Sequence, residues 1–476
     1  MEPSSLERAR ARLEGLIDWE RRERAPGERG QAMRVDLEPI EDLASLVGRP
    51  DRSLALVHVA GSKGKGSVAS LVAAGLRAAG LRVGRYGSPH VERLNERIEL
   101  DGAPIDDAAL GDALEAALDA REVAIATGTA GKDATWFDVL TLAAMLAMRD
   151  AGIDRAVFEC GLGGRLDSTN LLVGEVCVVT TVDLEHTEVL GDTRAEIAFE
   201  KVSILGKAAT LVTGVPPAPD EAGDVVDKHV AMEGARVLRP AWAAGPDAPP
   251  PPVDVERRNR DLAELVLDEL GRRGWAGPRP VAAALLTPAV VREARLPGRL
   301  EAFAVDAGDR GDEPGAEAPA GTGGAPGAPG GPPGRAPGAA DDPVTVVLDG
   351  AHVPASLAAV LDDLARRPGL AAAPVCVLGT GRDKDAAGLL KVLGDRVDTL
   401  ICTSVGGAMA ADPGTLAALA GPGTPALATP SEALGLALEC ARGRTWVLVV
   451  GSLHLAGDLR PVLLERGRSL DLPDAC

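Results

Sequence analysis

The chain has 476 residues, enough for two to three domains at about 150 residues each and for a sizeable buried core. Hydrophobic residues make up 46%, charged residues 25% and aromatic residues only 2%, so the core is expected to be built from Ala, Leu and Val. Lys and Arg total 50 against 70 Asp and Glu, and the formal charge of −20 argues against nucleic-acid partners and anionic membrane surfaces, which want a basic face.

No apolar run approaches the ~20 residues of a membrane span, and the longest helical candidate, around Val139–Met148, is too short. The start, Met1-Glu2-Pro3-Ser4-Ser5, carries no signal-peptide pattern. The six cysteines (160, 177, 376, 402, 440, 476) are scattered with no Cys-x-x-Cys. All six are expected to be reduced thiols, which places the protein in a cytoplasm.

The first fifty residues look helical and charged. Leu54–Val59 reads as a buried strand, followed by a Gly-rich turn and a helix from about Ser67 to Ala79. Leu81–Tyr86, Asp154–Glu159 and Glu175–Thr181 read as further strands. Strands alternating with helices imply a parallel sheet covered on both faces, whose ligands sit at the carboxyl ends of the strands. Pro249–Pro252 is a surface loop by composition. Between Val305 and Val344 there is no Val, Ile, Leu, Met, Phe, Tyr or Trp, so that stretch is expected to be a disordered insertion. The α/β rhythm then resumes, with strands at Val344–Leu348, Pro374–Leu378, Thr399–Thr403 and Trp446–Val450. Helices near Ala355–Arg366, Ala386–Leu393 and Ser431–Ala441 separate them. A boundary is expected near Leu296-Pro297-Gly298.

Three constellations carry chemistry. Gly61-Ser62-Lys63-Gly64-Lys65-Gly66-Ser67 lies between a strand and a helix, where backbone N–H groups and a helix N-terminus cradle an anion. Lys65 can reach the β/γ-phosphates of a nucleotide, and Ser67 can offer its hydroxyl to Mg²⁺. Gly66 intervenes between Lys and Ser, so the strict spacing is not met, and a tight turn that merely needs glycines is the alternative. Glu159 ends one strand, and Asp183-Leu184-Glu185-His186-Thr187 follows the next. A carboxylate, an imidazole and a hydroxyl there could hold Mg²⁺ near triphosphate oxygens, although Mg²⁺ prefers oxygen to nitrogen. Taken singly, Glu159 is an ordinary strand-end charge and His186 a core histidine. Asp349-Gly350-Ala351-His352 also follows a strand, where Asp349 could accept from a ribose hydroxyl or cap a turn.

Read in order, the motifs resemble the folylpolyglutamate synthase/dihydrofolate synthase family of the Mur ligase superfamily. The match includes His58–Ser67, Gly87-Ser-Pro-His90, Asn95-Glu-Arg-Ile98, Thr135-Trp-Phe-Asp138 and Glu159–Asn170. It continues through His186–Gly191, Glu200-Lys201, Leu296–Glu301, Asp349–His352, Asp383-Lys-Asp385 and Gly451-Ser-Leu453. The resemblance implies a Mur ligase architecture of two α/β domains. Residues 1–296 would form a P-loop-containing, mostly parallel-sheet N-terminal domain. Residues 297–476 would form a smaller Rossmann-like C-terminal domain with the insertion at about 306–343.

Roles follow from the same resemblance. Gly64, Lys65, Gly66 and Ser67 would bind the ATP phosphates, Asn259 and Asp349 the nucleoside end, and Arg299 the phosphates from the second domain. Ser67, Ser88, Glu159, His186 and a carbamylated Lys201 would ligate two Mg²⁺ ions. Lys65, Lys201, His186 and Glu159 would be the catalytic set. Thr135, Trp136, Phe137 and Asp138, with Leu166, Asp167 and Ser168, would line the pterin site. Some positions depart from the family pattern: Ser62-Lys63 for Thr-Asn, Leu296 for Trp, Val353 for Asn, Gly407–Ala410 for Pro-Arg-Ala and His454 for Tyr. The implied activity is an ATP-dependent amide ligase, a cytoplasmic monomer. It would add L-glutamate to a folate or dihydropteroate carboxylate through an acyl phosphate. Another amino-acid ligase of the superfamily, or a nucleotide-binding homologue without ligase activity, are the alternatives.

Overall fold

The computed structural model describes residues 4–18, 36–207, 209–245, 247–252, 254–275, 282–306, 342–406 and 409–472. Nearly all of the expected insertion at 306–343 lies outside the described residues, as do Gly407, Ala408 and Cys476. The chain divides into two compact units, Met1–Pro297 and Gly298–Cys476.

The first unit holds β1 (Leu56–Ala60), β2 (Val83–Tyr86), β3 (Ile98–Leu100), β4 (Ala103–Pro104), β5 (Arg155–Glu159), β6 (Val176–Val179), β7 (Thr210–Thr213) and β8 (Arg236–Leu238). They form one sheet in the order β4-β3-β2-β5-β1-β6-β7-β8. From β2 to β8 every pairing is parallel. β3 and β4 run antiparallel at one edge, so the sheet is mostly and not wholly parallel. The reason is local: Asp101-Gly102 reverses the chain with both residues at positive φ, which a two-residue hairpin requires.

The central strands are apolar runs buried along their whole length, as strands covered by helices on both faces must be. Val57 and Val59 pack on the helix Lys65–Ala78, in a cluster with Val68, Val72 and Leu76. Leu56 faces a second cluster built from the helices Asp107–Thr127 and Trp136–Asp150.

The second unit holds β9 (Glu301–Val305), β10 (Val344–Leu348), β11 (Val375–Leu378), β12 (Thr399–Thr403), β13 (Ala426–Leu427), β14 (Val447–Val450) and β15 (Gly467–Leu470). Their order is β13-β12-β11-β14-β10-β9-β15, with β9 and β15 antiparallel to their neighbours. Gly298 is tied into this unit by its N–H to Glu301 and by its carbonyl, which accepts from Gly350. No helix among the described residues is long and apolar enough to cross a membrane.

Candidate active site

Strand order places the motifs. β2, β5, β1 and β6 are consecutive neighbours, so the segments leaving their carboxyl ends emerge side by side. Those segments carry Ser88, Glu159, the Gly61–Ser67 loop and residues 180–186.

The Gly61–Ser67 loop is pinned from β6. Ser62 N–H donates to the Thr181 carbonyl at 2.9 Å, and Lys63 N–H to Thr181 Oγ1 at 3.1 Å. Thr180 Oγ1 donates to the Lys63 carbonyl at 2.5 Å, and Asp183 N–H to Ser62 Oγ at 3.0 Å. Gly64 precedes the helix Lys65–Ala78 at φ +81°, and a Cβ there would collide with Asn259 Oδ1. No side-chain hydrogen bond caps this helix, so its first N–H groups are available to an anionic acceptor. Lys65 Nζ donates to the Gly61 carbonyl at 3.0 Å and so is folded over the loop. The helix expected from Ser67 therefore begins two residues earlier, and Asn259, from the helix Val255–Arg272, lies directly against the loop.

Glu159 is buried, and its carboxylate abuts the first helical turn: a Cβ on Gly66 would lie 3.2 Å from Glu159 Oε2. The same oxygen accepts from Ser88 N–H at 3.4 Å. Glu159, Ser88 and the turn bearing Ser67 thus converge. These hard oxygen donors beside a phosphate cradle fit Mg²⁺. His186 caps the short helix Thr187–Leu190 at φ +45°.

Lys201 is not a surface charge. It is 1% exposed and forms an ion pair with Glu185 Oε1 at 2.8 Å. Burial lowers the Lys201 pKa, Glu185 opposes the shift, and Lys65 adds to it. Burial alone would raise Glu185, but Lys201, Lys65 and Lys63 together hold its carboxyl below the usual range. Among the described residues, no group of three or more His, Cys, Asp or Glu forms a metal cluster. The expected ligand set supplies just one carboxylate and one imidazole of those types; its other members are two hydroxyls and a lysine.

The residues expected at the pterin site come together as a second loop and a helix start. Thr135 and Asp138 form a reciprocal cap on the helix Trp136–Asp150. Asp138 Oδ1 accepts from Ser168 Oγ at 2.5 Å, which joins the two expected segments. The Phe137 ring lies against Gly161, where a Cβ would meet it at 2.7 Å. Trp136 carries the Arg97 guanidinium 4.8 Å above its ring, and Arg97 Nε donates to His90 Nδ1 at 2.8 Å. Asp167 accepts from Leu162 N–H at 2.9 Å and from Thr169 N–H at 3.0 Å, while Leu166 is half-buried. Burial raises the carboxyl pKa of both Asp138 and Asp167 against these hydrogen bonds. The loop is docked on the Lys201 helix by Arg165, whose Nε donates to Glu200 Oε1 at 3.0 Å.

In the second unit, Asp349 is fully engaged by backbone. Its oxygens accept from Leu300 N–H at 2.9 Å and Ala351 N–H at 2.8 Å, and Leu300 sits at φ +48°. Burial raises the Asp349 carboxyl pKa, and the nearby Arg299 charge works against that. The turn-capping reading of Asp349 is thus the one its contacts display.

Sequence reasoning assigned no role to Glu185, Arg97 or His58. Glu185 was signalled by its place before His186, Arg97 by the Asn95–Ile98 motif, and His58 by being the one polar residue in an apolar strand.

Comparison with known proteins fixes the family. Residues 337–453 match the Mur ligase, glutamate ligase domain. A Mycobacterium tuberculosis dihydrofolate synthase/folylpolyglutamate synthase is 34% identical over 405 residues, covering 82% of this chain and 78% of the relative. The chain belongs to the folylpolyglutamate synthase/dihydrofolate synthase family. A probable bifunctional folylpolyglutamate synthase/dihydropteroate synthase of Haloferax volcanii is 32% identical over 89% of this chain. The chain spans 48% of that relative's length, and 45% of a Lacticaseibacillus casei folylpolyglutamate synthase. The fold of the family is evident in the M. tuberculosis folylpolyglutamate synthase solved with ADP and AMPPCP. That structure superposes with a TM-score of 0.70 at 26% identity, over 96% of this chain and 98% of that one.

Proposed function

We propose that the protein is an ATP-dependent carboxylate–amine ligase joining L-glutamate to a dihydropteroate or folate carboxylate. The observation that carries the reading is the convergence at the carboxyl ends of the central strands of an uncapped helix N-terminus, Lys65, Asn259, Glu159 and Ser88, with a buried Lys201 reached from the next strand end. The family supports the choice of substrates.

The acid's carboxylate attacks the γ-phosphate of ATP, giving an acyl phosphate and ADP. The glutamate amine then displaces phosphate and forms the amide. Outward N–H groups of Gly64, Lys65, Gly66 and Ser67 hold the phosphates without reorganising. Lys65 exchanges the Gly61 carbonyl for phosphate oxygens and neutralises charge as it develops. Asn259 and Asp349 are assigned to the nucleoside, and Arg299 to the phosphates. In this reading residues 1–296 are the ATP-binding domain and 297–476 the C-terminal ligase domain. Thr135–Asp138 and Leu166–Ser168 orient the pterin, which positions its distant carboxylate. Two Mg²⁺ ions held by Ser67, Ser88, Glu159, His186 and a carbamylated Lys201 would supply further charge neutralisation. A cytoplasmic monomer completes the reading. The free thiols of Cys160, Cys177, Cys376, Cys402 and Cys440 support the compartment, and light scattering tests the monomer.

The test is phosphate release from Mg-ATP with L-glutamate and either dihydropteroate or tetrahydrofolate. Release with dihydropteroate alone identifies a dihydrofolate synthase, with tetrahydrofolate alone a chain-extending synthase, and with both a bifunctional enzyme. Silence with both acids, in folded protein that still binds ATP, overturns the proposal.

A further inference from the structure

His58 sits at the centre of β1, between β5 and β6, with no exposure to solvent. Its neighbours in the strand are Leu56, Val57, Val59 and Ala60, and an aliphatic residue would suit the site. An imidazole here carries a cost, because Nδ1 is buried with no hydrogen-bond partner. Such a residue needs a use for its other nitrogen.

That use is a chain of short contacts. His58 Nε2 lies 2.8 Å from Thr169 Oγ1 and 3.2 Å from Cys160 Sγ. Thr169 Oγ1 lies 2.5 Å from Asp167 Oδ1. Asp167 is buried and already receives N–H donors from Leu162 and Thr169. As the carboxylate these donors favour, Asp167 is acceptor-only, so Thr169 gives it the hydroxyl proton. The hydroxyl oxygen is then an acceptor toward His58, which must carry its proton on Nε2. This tautomer leaves Nδ1 bare, in agreement with its missing partner.

We propose that His58 is a positioning residue for the acid substrate: its Nε2–H orients Thr169, Thr169 orients Asp167, and Asp167 fixes the Gly161–Ser168 loop. The strand that ends in the phosphate loop thereby also shapes the loop assigned to the pterin, and Ser168 passes the order on to Asp138. The inference rests on that assignment of the loop.

The variants are His58→Leu, which removes the donor, and His58→Gln, whose terminal amide restores an N–H near the imidazole Nε2 position. Thr169→Val and Thr169→Ser remove and keep the hydroxyl. His58→Leu and Thr169→Val are expected to raise KM for the pterin acid about tenfold while KM for ATP stays put, because a small displacement of a substrate-holding loop is costly. His58→Gln and Thr169→Ser should stay within about threefold of the parent. In the ligand-free protein, amide exchange at Leu162 and Thr169 should quicken about tenfold in His58→Leu, with exchange in the helix Lys65–Ala78 unchanged. Equal impairment of His58→Leu and His58→Gln, or a parallel rise in KM for ATP, overturns the proposal. If His58→Leu does not fold, the Thr169 pair decides by the same criteria. A parent that is silent with both acids, but whose variants show the local exchange change, sinks the substrate reading and leaves the linkage standing. An active parent whose variants show neither change sinks the linkage alone.

Discussion

Two glycine-rich loops leave the neighbouring strands β1 and β5, and they hold their shapes by opposite means. Residues 61–67 are braced from behind by Thr180, Thr181 and Asp183, and their helix N-terminus is left without a side-chain cap. Residues 161–170 carry an anion of their own: Asp167 folds back and takes the N–H groups of Leu162 and Thr169. The first loop leaves its helix N–H groups without a side-chain acceptor, as an anion receptor would. The other is already satisfied and presents a preset surface. Similar composition therefore serves two tasks, and the difference lies in whether a carboxylate sits inside the turn.

Removing the cation from the first loop should be the largest single effect. Lys65→Ala is expected to lower kcat about a thousandfold, as loss of a charge-stabilising donor does, with the fold unchanged by circular dichroism. Retained turnover would mean that the loop is a structural turn. The matching change in the second loop is Asp167→Asn. An amide cannot accept from so many N–H groups, so the loop loosens at a cost of about 2 kcal/mol. KM for the acid should rise while ADP affinity, measured by calorimetry, is unaffected. An equal loss of ADP affinity would erase the contrast between the loops.

Where the two loops meet the Lys201 helix, the Glu185–Lys201 pair gives a sharper probe. In the protein whose Lys201 carries no carbamate, Glu185→Gln strands a buried ammonium and should destabilise the fold by about 3 kcal/mol in urea titration. Adding Lys201→Met should restore most of that stability, since neither charge is then orphaned, yet leave the protein inactive. A double variant as unstable as the single one would show that packing, and not the charge, is at stake.

The contrast between the loops was only half visible in the chain. The glycine-rich turn was legible in place, because Gly-x-x-Gly-Lys-Gly-Ser between a strand and a helix reads as a phosphate cradle or as a turn that needs glycines, and both put the helix start there. Strands β10 and β12 were legible to the residue, since Val344–Leu348 and Thr399–Thr403 are short stretches of apolar and β-branched residues. β9 and β15 were not: Gly467–Leu470 has no apolar run, and Glu301–Val305, although it carries Ala302–Val305, lies between β10 and β15 and pairs antiparallel with both. Asp167 was singled out by the family resemblance, but not as a clamp on its own loop. Its donors Leu162 and Thr169 are backbone groups, and backbone geometry leaves no mark in residue types. Glu185 was read past because its partner Lys201 lies sixteen residues on, across a helix.

The smallest effect isolates the histidine that stiffens the second loop. Burial pushes His58 down from 6.5 to about 3. The folded protein keeps it neutral, while the unfolded chain takes up a proton below pH 6.5. Its contribution to stability is therefore complete above pH 6.5 and is lost as pH falls toward 3. The loss should amount to about 1 kcal/mol between pH 6.5 and about 5.5. Buried Asp138 and Asp167 shift the other way, since their raised carboxyl pKa values favour the folded state as acid is added. Cys160, which touches His58, is a neutral thiol throughout this range because burial raises it. The wild type alone thus mixes opposing slopes, and the difference between wild type and His58→Gln is the quantity to measure. That difference should grow in favour of the variant as pH falls from 6.5. A difference that stays flat would mean that His58 is protonated in the fold, and that Thr169 receives its proton from an imidazolium and not from a neutral ring.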